Sequence, residues 1–297
     1  MQARKGLVMV SGAGVCWATT GLFSTLLFNE GIDPISVAST RSALAAVIFL
    51  VYLLVFHPKL LVVNKKQLVM LALGGSVGIT LFNIFYMNAI NAAGMSTAVV
   101  LLYTSPVFAV ILSRIFLKEP LTTKKVIALI IAISGILLVV EAYELHNLLD
   151  NPLAILVGLG AGLSFGTLSV LGKYLTGTGN RLTASFYLLF TGSLFLSLIH
   201  PPWIGLAEIR YSPSLLLALG ALVIISTLAA HSLYIAGLSY LEAGKASIAV
   251  AIEPVAAILL AFFFLDERLV TIQYIGVALV LSAVILLRLH SAEALPK

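Results

Sequence analysis

Charge is what this chain has least of. Asp, Glu, Lys and Arg supply 10% of its 297 residues, where soluble domains carry about 25%. Polar segments are short as well, and no loop is long enough to fold as a soluble domain. These shortages exclude a soluble enzyme and a receptor with a soluble sensing domain. The single cysteine, Cys16, lies inside an apolar run. It cannot close an intramolecular disulfide, so it says nothing about redox compartment.

Missing motifs narrow the chemistry further. The sequence has no G-x-x-x-x-G-K-[ST]; the nearest approach, Gly166 followed by Gly172-Lys173-Tyr174, has the wrong spacing and no hydroxyl for magnesium. ATP-driven pumping by this chain alone is therefore not expected. No H-E-x-x-H or other clustered metal-ligand spacing is present, and the five histidines are scattered. No cofactor, metal or nucleophile–base pair is expected, and the chain reads as a non-enzyme. Gly162-Leu-Ser-Phe-Gly166 matches the G-x-S-x-G of hydrolases, but that motif needs a strand-to-helix elbow. Here it lies in an apolar run, where Gly158, Gly162 and Gly166 favour close helix packing. Gly74 and Gly78 read the same way.

What the chain does have is apolar length. It is 61% hydrophobic with a mean hydropathy of +1.12, and bilayer-length runs recur throughout. They cover roughly Gly6–Phe28, Pro34–Phe56, Gln67–Ile90, Met95–Leu117, Thr123–Val140, Pro152–Leu175, Leu182–Ile199, Pro213–Tyr240, Lys245–Leu265 and Val270–Leu289. The sequence predicts an all-α integral membrane protein with ten transmembrane helices. Barrel strands would alternate apolar and polar residues over about ten positions, which these runs do not. Arg4 and Lys5 before the first run resemble a signal peptide, but the run is too long for one and no clear cleavage site follows, so it reads as a retained first helix.

Loop charges orient the chain. With the N-terminus in the cytoplasm, thirteen basic residues fall inside: Arg4, Lys5, Lys59, Lys65, Lys66, Lys118, Lys124, Lys125, Lys173, Arg181, Lys245, Arg288 and Lys297. Only Arg210 and Arg268 fall outside, where the loops hold acids such as Glu30, Asp33, Glu141, Glu144, Asp150, Glu208, Asp266 and Glu267. This positive-inside bias predicts a multi-pass protein of the inner or plasma membrane with both termini cytoplasmic. It also accounts for the net charge of +5 as a topology and lipid-headgroup signal rather than a nucleic-acid patch.

Sliding the sequence by 148 positions places Pro106–Leu121 (PVFAVILSRIFLKEPL) on Pro254–Leu269 (PVAAILLAFFFLDERL), with eight of sixteen positions identical. At the same offset Gly12-Ala-Gly14 meets Gly160-Ala-Gly162, Thr19 meets Thr167, and Tyr86 meets Tyr234. The reading is two five-helix units, residues 1–148 and 149–297, in one compact membrane domain. Five is odd, so the second unit enters the membrane from the opposite side. Inverted repeats of this kind build alternating-access carriers with a substrate site near the midplane.

The segment Phe-Leu-Lys-Glu at 116–119, its twin Phe-Leu-Asp-Glu at 264–267, Glu-Pro at 253–254, Trp-Ala at 17–18 and Arg41 resemble the EamA-type, ten-helix branch of the drug/metabolite transporter superfamily. The resemblance covers nearly the whole chain. It implies a carrier for amino acids, nucleobases, amines, drugs or other small metabolites, with export as the direction, and does not fix the substrate. One departure is that the counterpart of Trp17 in the second half is Phe165.

Polar residues inside the runs are the site candidates. Asn83 and Tyr86, three apart, share a helix face, and their twins are His231 and Tyr234. They either line one cavity from two sides or hold the bundle by interhelical hydrogen bonds. Trp17 offers an aromatic wall for a substrate ring or amine, or a packing surface. Tyr103 and Ser105, just before Pro106, are further cavity candidates. Arg41 sits about six residues into the second run, ~9 Å deep; a charge there must face protein or water or snorkel outward, with Glu253 or an outer-loop acid as a candidate partner and gating as its candidate role. Arg114 is expected to snorkel to headgroups, and Glu119 and Glu267 to cap the helices that follow them.

Pro106 and Pro254 are twins. Each removes a backbone bond to the carbonyl four residues earlier, Leu102 or Val250, which predicts matched hinges and carbonyls open to a cavity. Only the second half adds a carboxylate there, Glu253, about eight residues beyond Lys245 and ~12 Å deep. An acid at that depth is neutral, proton-carrying or paired. The expected partners are a small-molecule substrate, membrane lipids and protons as a coupling ion; oligomeric state is open. A channel, a receptor or an intramembrane enzyme is the alternative.

Overall fold

The computed structural model describes residues 2–142, 151–209, 212–264 and 269–293. Among the described residues every regular element is helical. Several helix starts follow from local chemistry. The Asp33 carboxylate accepts the N–H groups of Ile35 and Ser36 at 3.1 and 3.2 Å, with Pro34 at the first position of α2 (Pro34–Phe56). Asn64 and Gln67 form a reciprocal capping box at α3 (Lys65–Gly75). Thr122 caps α6 (Thr123–Val139), and Asn151 caps α7 (Pro152–Thr178). Asn151 also donates to the Ala92 carbonyl at 2.7 Å, tying the start of the second half to α4 (Phe82–Leu102), which breaks at Gly94 (φ 82°) so that one span ends and the next begins within it.

Eight helical stretches are long and apolar enough to cross a bilayer: α1 (Gln2–Phe28), α2, Lys65–Gly94, Thr97–Phe116, α7, α8 (Arg181–Ile199), Pro213–Leu238 and Ala243–Phe264. Large apolar side chains such as Val55, Leu156, Leu217 and Phe263 are exposed along them, as a lipid-facing surface requires. The fifth and tenth expected spans are shorter: α6 has 17 residues, and the apolar part of α14 (Thr271–Glu293) is Thr271–Leu287. A helix of 17 residues reaches ~25 Å, against an apolar core of about 30 Å. These two pack on each other where Gly135 meets Gly276; a Cβ on either would lie 2.8 or 2.7 Å from the other's carbonyl oxygen.

Both halves interrupt their helices at matching places. A π-helical stretch, Ser76–Leu81, separates α3 from α4. Moved on by 148 positions it falls inside a second one, Leu222–Ala229, between α10 (Pro213–Ala221), which follows the short α9 (Pro202–Glu208), and α11 (Ala230–Leu238). Helix breaks also match. Tyr103 and Thr104 separate α4 from α5 (Ser105–Phe116), and Val250 and Ala251 separate α12 (Ala243–Ala249) from α13 (Ile252–Phe264). Pro106 and Pro254 stand in the first turn after each break, where a missing N–H costs nothing. The predicted bend is thus a two-residue turn placed just before each proline, within a stretch that still runs on as one span. The Val250 carbonyl is not left open, because the Glu253 N–H bonds it at 2.9 Å.

The halves interlock rather than stand side by side. Helix α7 packs on α4 and α5, and α1 packs on α11 and α13. Twin glycines set the closeness: a Cβ on Gly14 would lie 2.6 Å from Ile252 Cγ2 and 3.0 Å from the Val250 carbonyl. One on Gly162 would lie 2.5 Å from Thr104 Oγ1 and 3.3 Å from the Leu102 carbonyl. Ile252 and Val250 are the twins of Thr104 and Leu102. Each glycine therefore seats its helix on the break in the opposite half, and the G-x-S-x-G segment is packing surface.

The boundary at 148–149, with Glu144, Asp150, Arg210, Asp266, Glu267 and Arg268, lies outside the described residues.

Candidate functional site

A cavity of about 570 Å³ opens between the halves, within the range of small-molecule sites. Its floor is the α12–α13 break, at Ser247, Val250, Ala251 and Glu253. It runs past Trp17 and Tyr86 to the end of the bundle where Phe28, Pro34, Ile90, Glu141 and Gln273 stand. Pieces from both halves make it, because the π-helical stretches and breaks open each helix toward the same space.

The sequence candidates fall around it. Trp17, Asn83, Tyr86, Tyr103 and Ser105 line it from the first half, and His231 and Glu253 from the second. Pro106, Pro254 and Arg41 line it as well. Tyr234 does not; it is fully buried behind the wall, with its hydroxyl 2.6 Å from Ser169 Oγ.

The wall is aromatic. Trp17 and Phe165 meet edge to face with centroids 5.5 Å apart, and Tyr234 backs both at 5.2 and 5.7 Å. Phe82 bridges Phe165, at 5.9 Å, to Tyr86, on which it stacks at 5.6 Å. Phe82 and Phe165 line the cavity but were not candidates from sequence. As apolar residues in apolar runs they carry no signal beyond the offset that pairs Phe165 with Trp17.

Polar groups divide into tethered and free. Arg41 Nη1 donates to Thr227 Oγ1 at 2.8 Å, and Thr227 donates to the Leu222 carbonyl of the π-helical stretch at 2.8 Å. The candidate acid partner is not there: among the described residues Arg41 forms no ion pair, and a hydroxyl on the other half holds it instead. His231 Nε2 lies 3.2 Å from the Ser185 carbonyl of α8. Asn83 donates to the Ile79 carbonyl at 2.8 Å, leaving its buried Oδ1 unpartnered, and buried Ser247 Oγ is unpartnered too. Among the described residues the Glu253 carboxyl has no hydrogen bond or ion pair, with Tyr86 and Tyr103 in electrostatic reach. Asn83 Oδ1 and Ser247 Oγ are closed off from the cavity, so the partly exposed Glu253 carboxyl is the free group in its lining that can meet a ligand or water.

Glu119 departs from expectation. Thr122 caps α6, while the Glu119 carboxylate reaches across to the start of α12, accepting the N–H groups of Ala243 and Gly244 at 2.6 and 3.2 Å. Arg114 is exposed at the end of α5, with its Nη1 3.5 Å from the Glu119 carbonyl oxygen.

Comparison with known proteins adds the lineage. The EamA-like transporter family matches twice, over residues 4–141 and 152–289. An uncharacterized transporter of Archaeoglobus fulgidus is 28% identical over 270 residues, 90% of this chain and 91% of that one. The uncharacterized inner membrane transporter YicL of Salmonella typhimurium is 26% identical over 297 residues, 97% of this chain and 96% of its own. One crystal structure superposes with a TM-score of 0.78 at 17% identity, covering 96% of this chain and 97% of that one, a likeness of fold alone. This multi-pass membrane protein, with its two matched halves around one cavity, belongs to the EamA-like transporter family.

Proposed function

We propose that this chain is a carrier of small organic solutes that works by alternating access, built as ten membrane helices in two inverted five-helix repeats. The observation that carries the reading is the cavity itself: it is floored at mid-bundle, open toward one end, and made from matching interruptions in both halves. The charge bias of the loops supports cytoplasmic termini, which makes this an outward-facing state. Export is the direction the family resemblance implies.

The Glu253 carboxyl supports a substrate class. Ionised, it only accepts hydrogen bonds. A solute with N–H donors, an amine or zwitterion with an apolar or aromatic body, satisfies it while its body lies on Trp17, Phe165 and Tyr86. Glu253 has a second role open to it, carrying a proton between the facing states. Uptake of a panel of amines, amino acids and organic anions into liposomes holding purified protein tests this. The amine reading requires that amines or zwitterions be transported, and that Glu253→Gln weaken them on the order of a hundredfold, from losing about 3 kcal/mol of a buried pair. If Gln instead abolishes accumulation driven by a pH gradient but spares equilibrium exchange, Glu253 is the proton carrier. Wild-type binding, pH response and exchange in a stable Gln protein rule out both roles.

A further inference from the structure

The end of the bundle opposite the cavity mouth is fastened by a charge network that joins the halves. Glu119 holds the N-terminus of α12 through both carboxylate oxygens. Lys125 of α6 lies 3.7 Å from Glu119 Oε2 and 2.5 Å from Glu242 Oε2. Lys245 of α12 donates to Glu242 Oε1 at 2.7 Å. Lys173 of α7 donates to the Leu238 carbonyl at 2.9 Å, where α11 ends. Lys125 is 2% exposed and Glu119 7%, so these pairs are little screened by water.

Helix α12 connects this network to the cavity. All seven of its residues are buried, and Ser247, two residues from its end, is cavity floor. Solute cannot leave on this side unless α12 parts from α5 and α6, and parting strips Glu119 of two N–H partners and Lys125 of the Glu242 carboxylate, leaving only its pair with Glu119. Removing one partner of a buried pair is costly because the other is left uncompensated.

At the 148 offset Lys125 corresponds to Gln273, Lys245 to Thr97, Glu242 to Gly94 and Lys173 to Thr25, none of them charged, while the counterpart of Glu119, Glu267, lies outside the described residues. Gln273 makes a neutral bond at the mouth, to the Val139 carbonyl at 3.1 Å.

We propose that Glu119, Lys125, Glu242 and Lys245 form a latch that holds the cytoplasmic end shut and so biases the resting carrier to its mouth-open state. The proposal rests on the alternating-access reading. It assigns these residues to the facing equilibrium rather than to substrate binding, since none of the four lines the cavity.

Thiol labelling tests it without a substrate. In a Cys16→Ser background, Ser113→Cys reports the latched end: Ser113 is fully buried, and a Cβ on Gly244 of α12 would lie 3.4 Å from its hydroxyl. Thr25→Cys, exposed in the cavity, reports the mouth. Lys125→Met or Glu242→Gln should raise labelling of Ser113→Cys from the cytoplasmic side about tenfold and lower that of Thr25→Cys, the reciprocal signature of a shifted two-state equilibrium. Unchanged Ser113→Cys labelling in both variants overturns the latch. So does a rise at both reporters, which would mean loosening rather than switching. Counterflow by the unmutated protein is measured alongside; its absence strikes the carrier reading, whereas its presence with unmoved reporters strikes the latch alone.

Discussion

Trp17 and Phe165 occupy the same position in the two repeats and meet each other ring to edge, 5.5 Å between centroids and 73° between planes. A residue can touch its own twin only where the halves meet, so this pair marks the seam, and the cavity lies on it. The rest of the packing follows the same exchange. Gly14 meets one helix break and Gly162 the matching one, each in the other half.

That closeness predicts a stability contrast. Gly14→Ala and Gly162→Ala each force a methyl to within 2.6 Å or less of a neighbour, and should cost about 1–3 kcal/mol. Gly220→Ala meets nothing within 4 Å in α10 and should be neutral or stabilising by up to about 1 kcal/mol. Thermal unfolding in detergent ranks the three; equal melting temperatures would mean the seam is looser than described.

Much of this was legible in the sequence, and the reason is duplication. An offset of 148 turns one chain into two, so Asn83 with His231 and Pro106 with Pro254 stand out as pairs. Apolar length gave the helices. Three features were not legible. The π-helical stretches need only one extra residue per turn, which hydrophobic runs with no polar face do not register. Phe82 and Phe165 look like any lipid-facing residue until a cavity is present. An acid was the candidate partner of Arg41, but the π-helical turn brings Thr227 to it first.

The prolines give a kinetic prediction. Each follows a break and helps to keep its helix from continuing through it. Pro106→Ala and Pro254→Ala should leave the protein inserted and folded, but slow turnover by letting the helix run on and favouring one facing state. Unchanged transport kinetics in both single variants would show the interruptions do not depend on proline.

Acid should weaken the latch, with a sign fixed by Glu242. Burial alone would raise its carboxyl, but the hydrogen bonds and charges of Lys125 and Lys245 outweigh that and hold it below the usual carboxylate range. Lys125 faces it from α6 and Lys245 from α12, with Lys173 of α7 and, through Lys125, Glu119 nearby. A carboxyl depressed in this way supports the network fully above its ordinary value, about 4.3, and that support is lost as pH falls through the lower folded value. Cytoplasmic-side labelling of Ser113→Cys should stay flat through neutral pH and rise only in acid below the ordinary range. The acid rise should be absent in Glu242→Gln; a rise near neutrality would assign it to another group.

Topology follows from the loop charges. Reporter fusions after Asn151 should report the outside, and fusions at Lys65 and Lys297 the inside. A cytoplasmic Asn151 would give both halves the same orientation and undo the inverted repeat.

The central claim, that solute crosses by way of this one cavity in a carrier, is tested most directly by counterflow into liposomes, comparing the parent with Gly21→Trp. Gly21 lines the cavity and a Cβ there meets nothing within 4 Å, so the indole fills the path without disturbing the packing. The parent should show saturable, trans-stimulated flux, and Gly21→Trp none at unchanged melting temperature. Flux that never saturates, or that persists with the cavity filled, would contradict it.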